Sequence, residues 1–121
     1  MTLAKAALLA ALAAPLPAAA LAVTCEVAQQ CRAGECTATP GLTLEIDEGP
    51  EMLSYVTPND VRVEMQQGSA PGERPLIGFV QRNSGGLMTM GLAEDGTLAM
   101  QALEPIDGGL EVFTFHGSCG V

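Results

Sequence analysis

The 121-residue chain predicts an all-β domain, a small antiparallel β-barrel or β-sandwich of about eight short strands stapled by disulfides. Three observations carry that expectation. Apolar residues recur with a period of two rather than 3.6, turn-forming residues punctuate the chain at roughly ten-residue spacing, and four cysteines follow an N-terminus built for export.

Lys5 precedes the apolar run 6–14, then come Pro15, Pro17 and the tripeptide Ala20-Leu21-Ala22. A charged start, a short apolar stretch and an Ala-x-Ala site are what the export machinery and its peptidase read, so residues 1–22 are expected to be a signal peptide and 23–121 a single domain. A spanning helix needs about 20 apolar residues, and the two prolines would break this one, so no membrane span is expected after cleavage. The expected location is periplasmic or secreted. Lipoprotein processing would have to use Cys25, but Thr24 is bulkier than the small residue such processing favours there.

The clearest strands come next. Leu42, Leu44 and Ile46 alternate with Thr43, Glu45 and Asp47, and Val61, Val63 and Met65 alternate with Arg62, Glu64 and Gln66. Each segment can place one face in a core and the other in water. Further strands are expected at 26–30, 52–56, 76–82, 87–92, 97–103 and 110–116. Pro58-Asn59-Asp60, Gly85-Gly86, Glu94-Asp95-Gly96 and Asp107-Gly108-Gly109 suit short antiparallel connections. Asp95-Gly96 has the residues a type I′ turn asks for, since both tolerate positive φ. The stretch 68–75 is the longest expected loop, and Gly68, Ser69, Glu73 and Arg74 make it a candidate partner contact.

A 99-residue remainder buries only about two-thirds of its unfolded surface, so staples matter. Cys25, Cys31, Cys36 and Cys119 allow three pairings. Spacing favours Cys31 with Cys36, which flank a four-residue turn containing Gly34, and this leaves Cys25 for Cys119. That second bond would close nearly the whole domain and, if the first and last strands are neighbours, would complete a barrel.

With Lys5 removed, four arginines face fourteen carboxylates, a formal charge of −10. Such a balance opposes nucleic acid and anionic membrane and leaves an unknown protein partner, of basic character if charge selects it. The acids are dispersed along the chain, with no block of like charge, so solubility alone also accounts for them.

Four constellations invite chemistry. Gly117-Ser118-Cys119-Gly120 resembles the nucleophile stretch of chymotrypsin-like cysteine proteases, but the only histidine, His116, lies three residues away and the chain stops too soon to build a cleft. A disulfide cysteine between turn glycines is the alternative. Met88, Met90 and His116, with Met52, Met65 and Met100, offer thioether and imidazole for copper(I); His116 with the cysteines offers zinc ligands. Methionines on one strand face ordinarily fill a core, so no metal or other cofactor is assigned. The pairs Glu45 with Asp47 and Glu48 with Glu51 could do acid–base work, but read as a solvated polar face. No catalytic residue is assigned and no enzyme is expected.

The export signal, the cysteine-framed first strand (Cys25, Cys31, Cys36), the alternating segments and the aromatic-rich end in Gly117-Ser118-Cys119 resemble small periplasmic β-proteins of alphaproteobacteria that have no assigned function. The chain is more distantly similar to the periplasmic C-type lysozyme inhibitors, compact barrels with a cysteine bridge. The expectation is a non-catalytic binding or structural protein of the envelope; the alternatives are inhibition of a basic lysozyme-like enzyme, which charge and barrel architecture motivate, and copper(I) binding, which the methionines and His116 motivate.

Overall fold

Alternation becomes pleat. The structure, a computed structural model, describes residues 22–120, and the expected signal peptide lies outside them apart from Ala22. Among the described residues nine strands follow one another: β1 (Ala22–Arg32), β2 (Glu35–Ala38), β3 (Thr43–Glu48), β4 (Met52–Val56), β5 (Arg62–Gln67), β6 (Leu76–Gln81), β7 (Leu87–Leu92), β8 (Thr97–Ile106) and β9 (Gly109–Cys119). The eight expected segments fall on β1 and β3 to β9. The strand that pattern reading missed is β2, whose four residues are all exposed and so show no inside–outside alternation.

Every pairing is antiparallel, and β9 returns to pair with β1, with Cys25 opposite Cys119 and Arg32 opposite Phe113. β1 and β3 to β9 therefore close an eight-stranded barrel, and the sandwich alternative is set aside. β2 lies outside it, beside the far half of β1. Closure removes the free edges that an open sheet of this size would expose. The disulfides join Cys25 to Cys119 across β1 and β9, and Cys31 to Cys36 across β1 and β2. Each bond joins residues directly opposite in an antiparallel ladder, with Cα atoms 3.9 and 4.0 Å apart.

Antiparallel order sends the β3–β4, β5–β6 and β7–β8 connections to one end of the barrel and the β4–β5, β6–β7 and β8–β9 connections to the other. The first end is plugged. Glu48 continues the inward row of Leu44 and Ile46 and is buried, which corrects its expected place on a solvated face; its partner in that reading, Glu51, is exposed. Its Oε2 accepts from Gln67 Nε2 at 2.9 Å and from the Gly72 amide at 3.1 Å, and Arg74 Nη1 lies 3.6 Å from Oε1. The 68–75 loop is thereby folded over the barrel end.

The other end is extended. β8 and β9 run on past β7, and a bulge between Val27 and Gln29 lets β1 follow them. The inserted residue shifts the pleat, so that Cys25 and Val27 face inward before it and Gln30 and Arg32 share the side of Phe115 and Phe113 after it. Thr39 secures the bulge, its amide donating to Ala28 O at 3.0 Å and its hydroxyl to Val27 O at 2.6 Å. Gly117 is not a turn glycine, as the sequence suggested, but a strand residue opposite Val27. A Cβ there would run into the carbonyl oxygen of Glu26 and sit 3.0 Å from Val27 Cα, backbone atoms that cannot swing aside. Gly117→Ala is therefore expected to lower stability by about 2–3 kcal/mol, measured by urea unfolding, whereas a strand glycine with no close approach would cost nothing on gaining a methyl.

The type I′ turn expected at Asp95-Gly96 does not form there. At Asp95-Gly96 only the glycine has positive φ, and Gly96 N donates to Ala93 O at 3.0 Å while Asp95 Oδ1 accepts from Thr97 N at 2.9 Å. The connection is a type I-like turn with a glycine bulge rather than I′. The paired positive φ values of a I′ turn occur instead at Ala33-Gly34 and Asp107-Gly108, between β1 and β2 and between β8 and β9.

Candidate functional site

Burial is graded along the barrel axis. The seven largest fully buried side chains, among them Ile46, Leu53, Leu76 and Leu98, all sit toward the plugged end. Toward the extended end, core residues keep a residual exposure of 2–7% (Val27, Leu44, Tyr55, Met88 and Met100 among them), because the barrel there opens into a mouth. Part of that opening comes from β5 and β6, which pair only at Gln66–Phe79 and Gln67–Gly78, so their mouth-side halves have no ladder between them.

A pocket of about 180 Å³ enters this mouth. Val27, Leu44, Tyr55, Met88 and Met100 form its floor, and Leu42, Thr57 and Phe115, all part-buried, stand around it. The lining is almost wholly apolar. Its polar groups are the Thr57 hydroxyl and that of Tyr55, which donates to Met88 Sδ at 3.0 Å. Burial pushes the Tyr55 phenol above its ordinary range, and the Arg82 guanidinium pulls it partly back, so the group is a neutral donor at physiological pH.

Above the pocket the inner side of the extended strands turns polar. Arg32 pairs with Glu111 and lies over the Phe113 ring, 5.5 Å from its centroid; Arg82 Nη1 pairs with Glu104 Oε1 at 2.8 Å. Two cations and two anions cancel, so these pairs bring no net charge to the mouth although the chain is strongly acidic.

The expected site residues are scattered. Cys119 is bonded to Cys25 and is no free thiol. Met88 and Met90 are buried inside the barrel while His116 is exposed on its outer face, so the sheet stands between the members of that set. Among the described residues no group of three or more His, Cys, Asp or Glu side chains is placed to hold a metal ion. In the 68–75 loop, Arg74 and Gly72 are turned to Glu48, Ser69 Oγ accepts from Ile77 N at 3.0 Å, and Gly68 and Glu73 are exposed. Glu45 and Asp47 do point outward, as expected.

No protein-family model, curated protein or solved structure matches this chain. Its chemistry must be read from its own geometry.

Sequence reading could not have assembled the pocket, because its lining comes from six strands and two connections and each member is an ordinary core position. One further feature was within reach. The carboxylates on the outer strand faces are segregated in space: Glu26, Glu45, Asp47 and Glu64 face outward on β1, β3 and β5, whereas the outward positions of β6 to β9 carry no acid or arginine. Tabulating charge by strand parity would have exposed this.

Proposed function

We propose that the protein is an exported, non-catalytic binding barrel whose mouth takes a compact, neutral, apolar molecule of about one ring. The observation that carries this is the 180 Å³ apolar pocket at the unplugged end. Apolar cavities of about 150 Å³ hold a benzene-sized guest, and eight-stranded barrels are just wide enough for one small ligand. The cancelled charges of Arg32, Glu111, Arg82 and Glu104 favour a neutral guest, and the Tyr55 hydroxyl can turn from Met88 to meet one acceptor. Two disulfides suit the oxidising space outside the cytoplasm, and periplasmic or secreted placement belongs to the same proposal.

Toluene is a suitable probe. Its titration should shift the methyl resonances of Met88 and Met100 with a dissociation constant below about 1 mM, equivalent to roughly 4 kcal/mol. Leu42→Trp, which would block the mouth without entering the plugged core, should abolish the shifts. Unchanged Met88 and Met100 signals at saturating toluene would overturn the reading.

A basic protein partner is the second reading, favoured by the outward Glu26, Glu45, Asp47 and Glu64. Its signature would be association that weakens steeply with salt.

A further inference from the structure

The outer face of β6 to β9 departs from the rest of the surface. Ile77, Phe79, Leu87, Leu110 and Val112 are each more than a third exposed, and all project on this one side. Scattered exposed hydrophobics are ordinary; five of them on one face that carries no Asp, Glu, Lys or Arg, on a chain of net −9, are not. Beside these side chains lies a shallow trough of about 400 Å³, where Gly91 is opposite Ala99 and neither fills the space between Ile77 and His116. One face thus carries both projecting apolar groups and a recess for them, four residues apart along β7 from Leu87 to Gly91.

We infer that this face is the contact between two copies of the chain. A two-fold interface must be complementary to itself, with a knob and a hole on the same patch, and this face supplies both. Charge selects the same occupant. A basic partner gains nothing from a surface without carboxylates and would sit on β1, β3 and β5. Two acidic copies repel wherever their carboxylates meet, and β6 to β9 form the broad face where they can touch without doing so. Four strands about 4.8 Å apart and six residues long at about 3.3 Å each give a footprint of roughly 400 Å², which the longer β8–β9 hairpin extends. Over both copies that is about 800 Å², below the range of stable homodimers even before the hairpin is added, so the association is weak and concentration-dependent. This inference is independent of the ligand proposal, since the pocket lies inside the barrel and opens at its end, not on this outer face.

Sedimentation equilibrium on the oxidised protein from the exported fraction tests it. The mean mass should rise from monomer toward dimer between about 10 µM and about 1 mM, and more readily at high salt, because the repulsion between like-charged copies is screened from about 8 Å at physiological salt to about 3 Å at 1 M. Ala99→Glu, in the trough, and Leu87→Lys, on the knob, should each raise the dimer dissociation constant at least about tenfold, one variant serving if the other fails to fold. Thr24→Glu on the acidic side should leave it within about twofold. A monomer throughout this range, or a dimer indifferent to both face variants, would overturn the inference; the second result would point to the exposed β2 strand instead.

Discussion

Replacing Cys25 and Cys119 together by alanine is expected to cost about 4 kcal/mol and to lower Tm by roughly 15–30 °C, the largest single effect in this molecule. The bond spans 94 residues of sequence, so cutting it restores to the unfolded chain nearly all the freedom a cross-link can remove. It also joins the two strands whose pairing closes the barrel, and Cys25 is completely buried in the plugged half. Cys31 and Cys36 are only five residues apart and hold an exposed hairpin outside the barrel, so their replacement should cost no more than about 2 kcal/mol and should free β2 without opening the barrel. Urea unfolding of the two double variants, with amide exchange across β1 and β9, separates these outcomes. A loss under about 1 kcal/mol for the Cys25 and Cys119 pair would show that the β1–β9 ladder alone secures closure.

The ladder explains what could be read in advance and what could not. Within the barrel each strand has one side toward apolar neighbours and one toward water, so period-two patterning in 43–47, 62–66 or 87–92 is visible without knowing any partner. Beyond the barrel that rule lapses. On the extension the inner side carries Arg32, Glu104 and Glu111 in ion pairs, so nothing in the alternation announces that β8 continues to Ile106 or that β9 begins at Gly109. β2 is held by one disulfide and by four register pairs to β1 rather than by burial, and burial is what the pattern reports.

The pocket was illegible for a different reason. Leu44, Met88 and Met100 look the same in sequence whether their neighbours fill the barrel or leave it open. What decides is which barrel end each residue lies toward, and that depends on closure and on the sparse β5–β6 pairing. The mistaken reading of Glu48 has the same root in miniature. The solvated-face expectation rests on Glu45 and Asp47, whereas Glu48 falls on the opposite, inward side of the same strand. The alternation of Leu44, Ile46 and Glu48 is unbroken, and the carboxylate follows the pleat inward because Gln67, Gly72 and Arg74 supply partners.

Those partners make Glu48→Ala the second large effect, expected at about 3–4 kcal/mol. The substitution removes the acceptor of the Gln67 amide and of the Gly72 N–H and leaves the Arg74 guanidinium, which is mostly covered, without its counter-charge. Stranding buried donors costs more than the bonds themselves contributed, because each group has already given up its water. Glu48→Gln keeps the shape and one acceptor and loses only the ion pair, so it should cost less, about 1–2 kcal/mol. The ordering is the test: urea midpoints should fall from wild type to Glu48→Gln to Glu48→Ala, and amide exchange in the 68–75 loop should accelerate in the same order. Equal, small losses in both variants would mean that the loop closes the barrel by its own packing, with Glu48 an incidental passenger. A steep difference would show that one buried carboxylate keeps this end of the barrel sealed while the other end stays open.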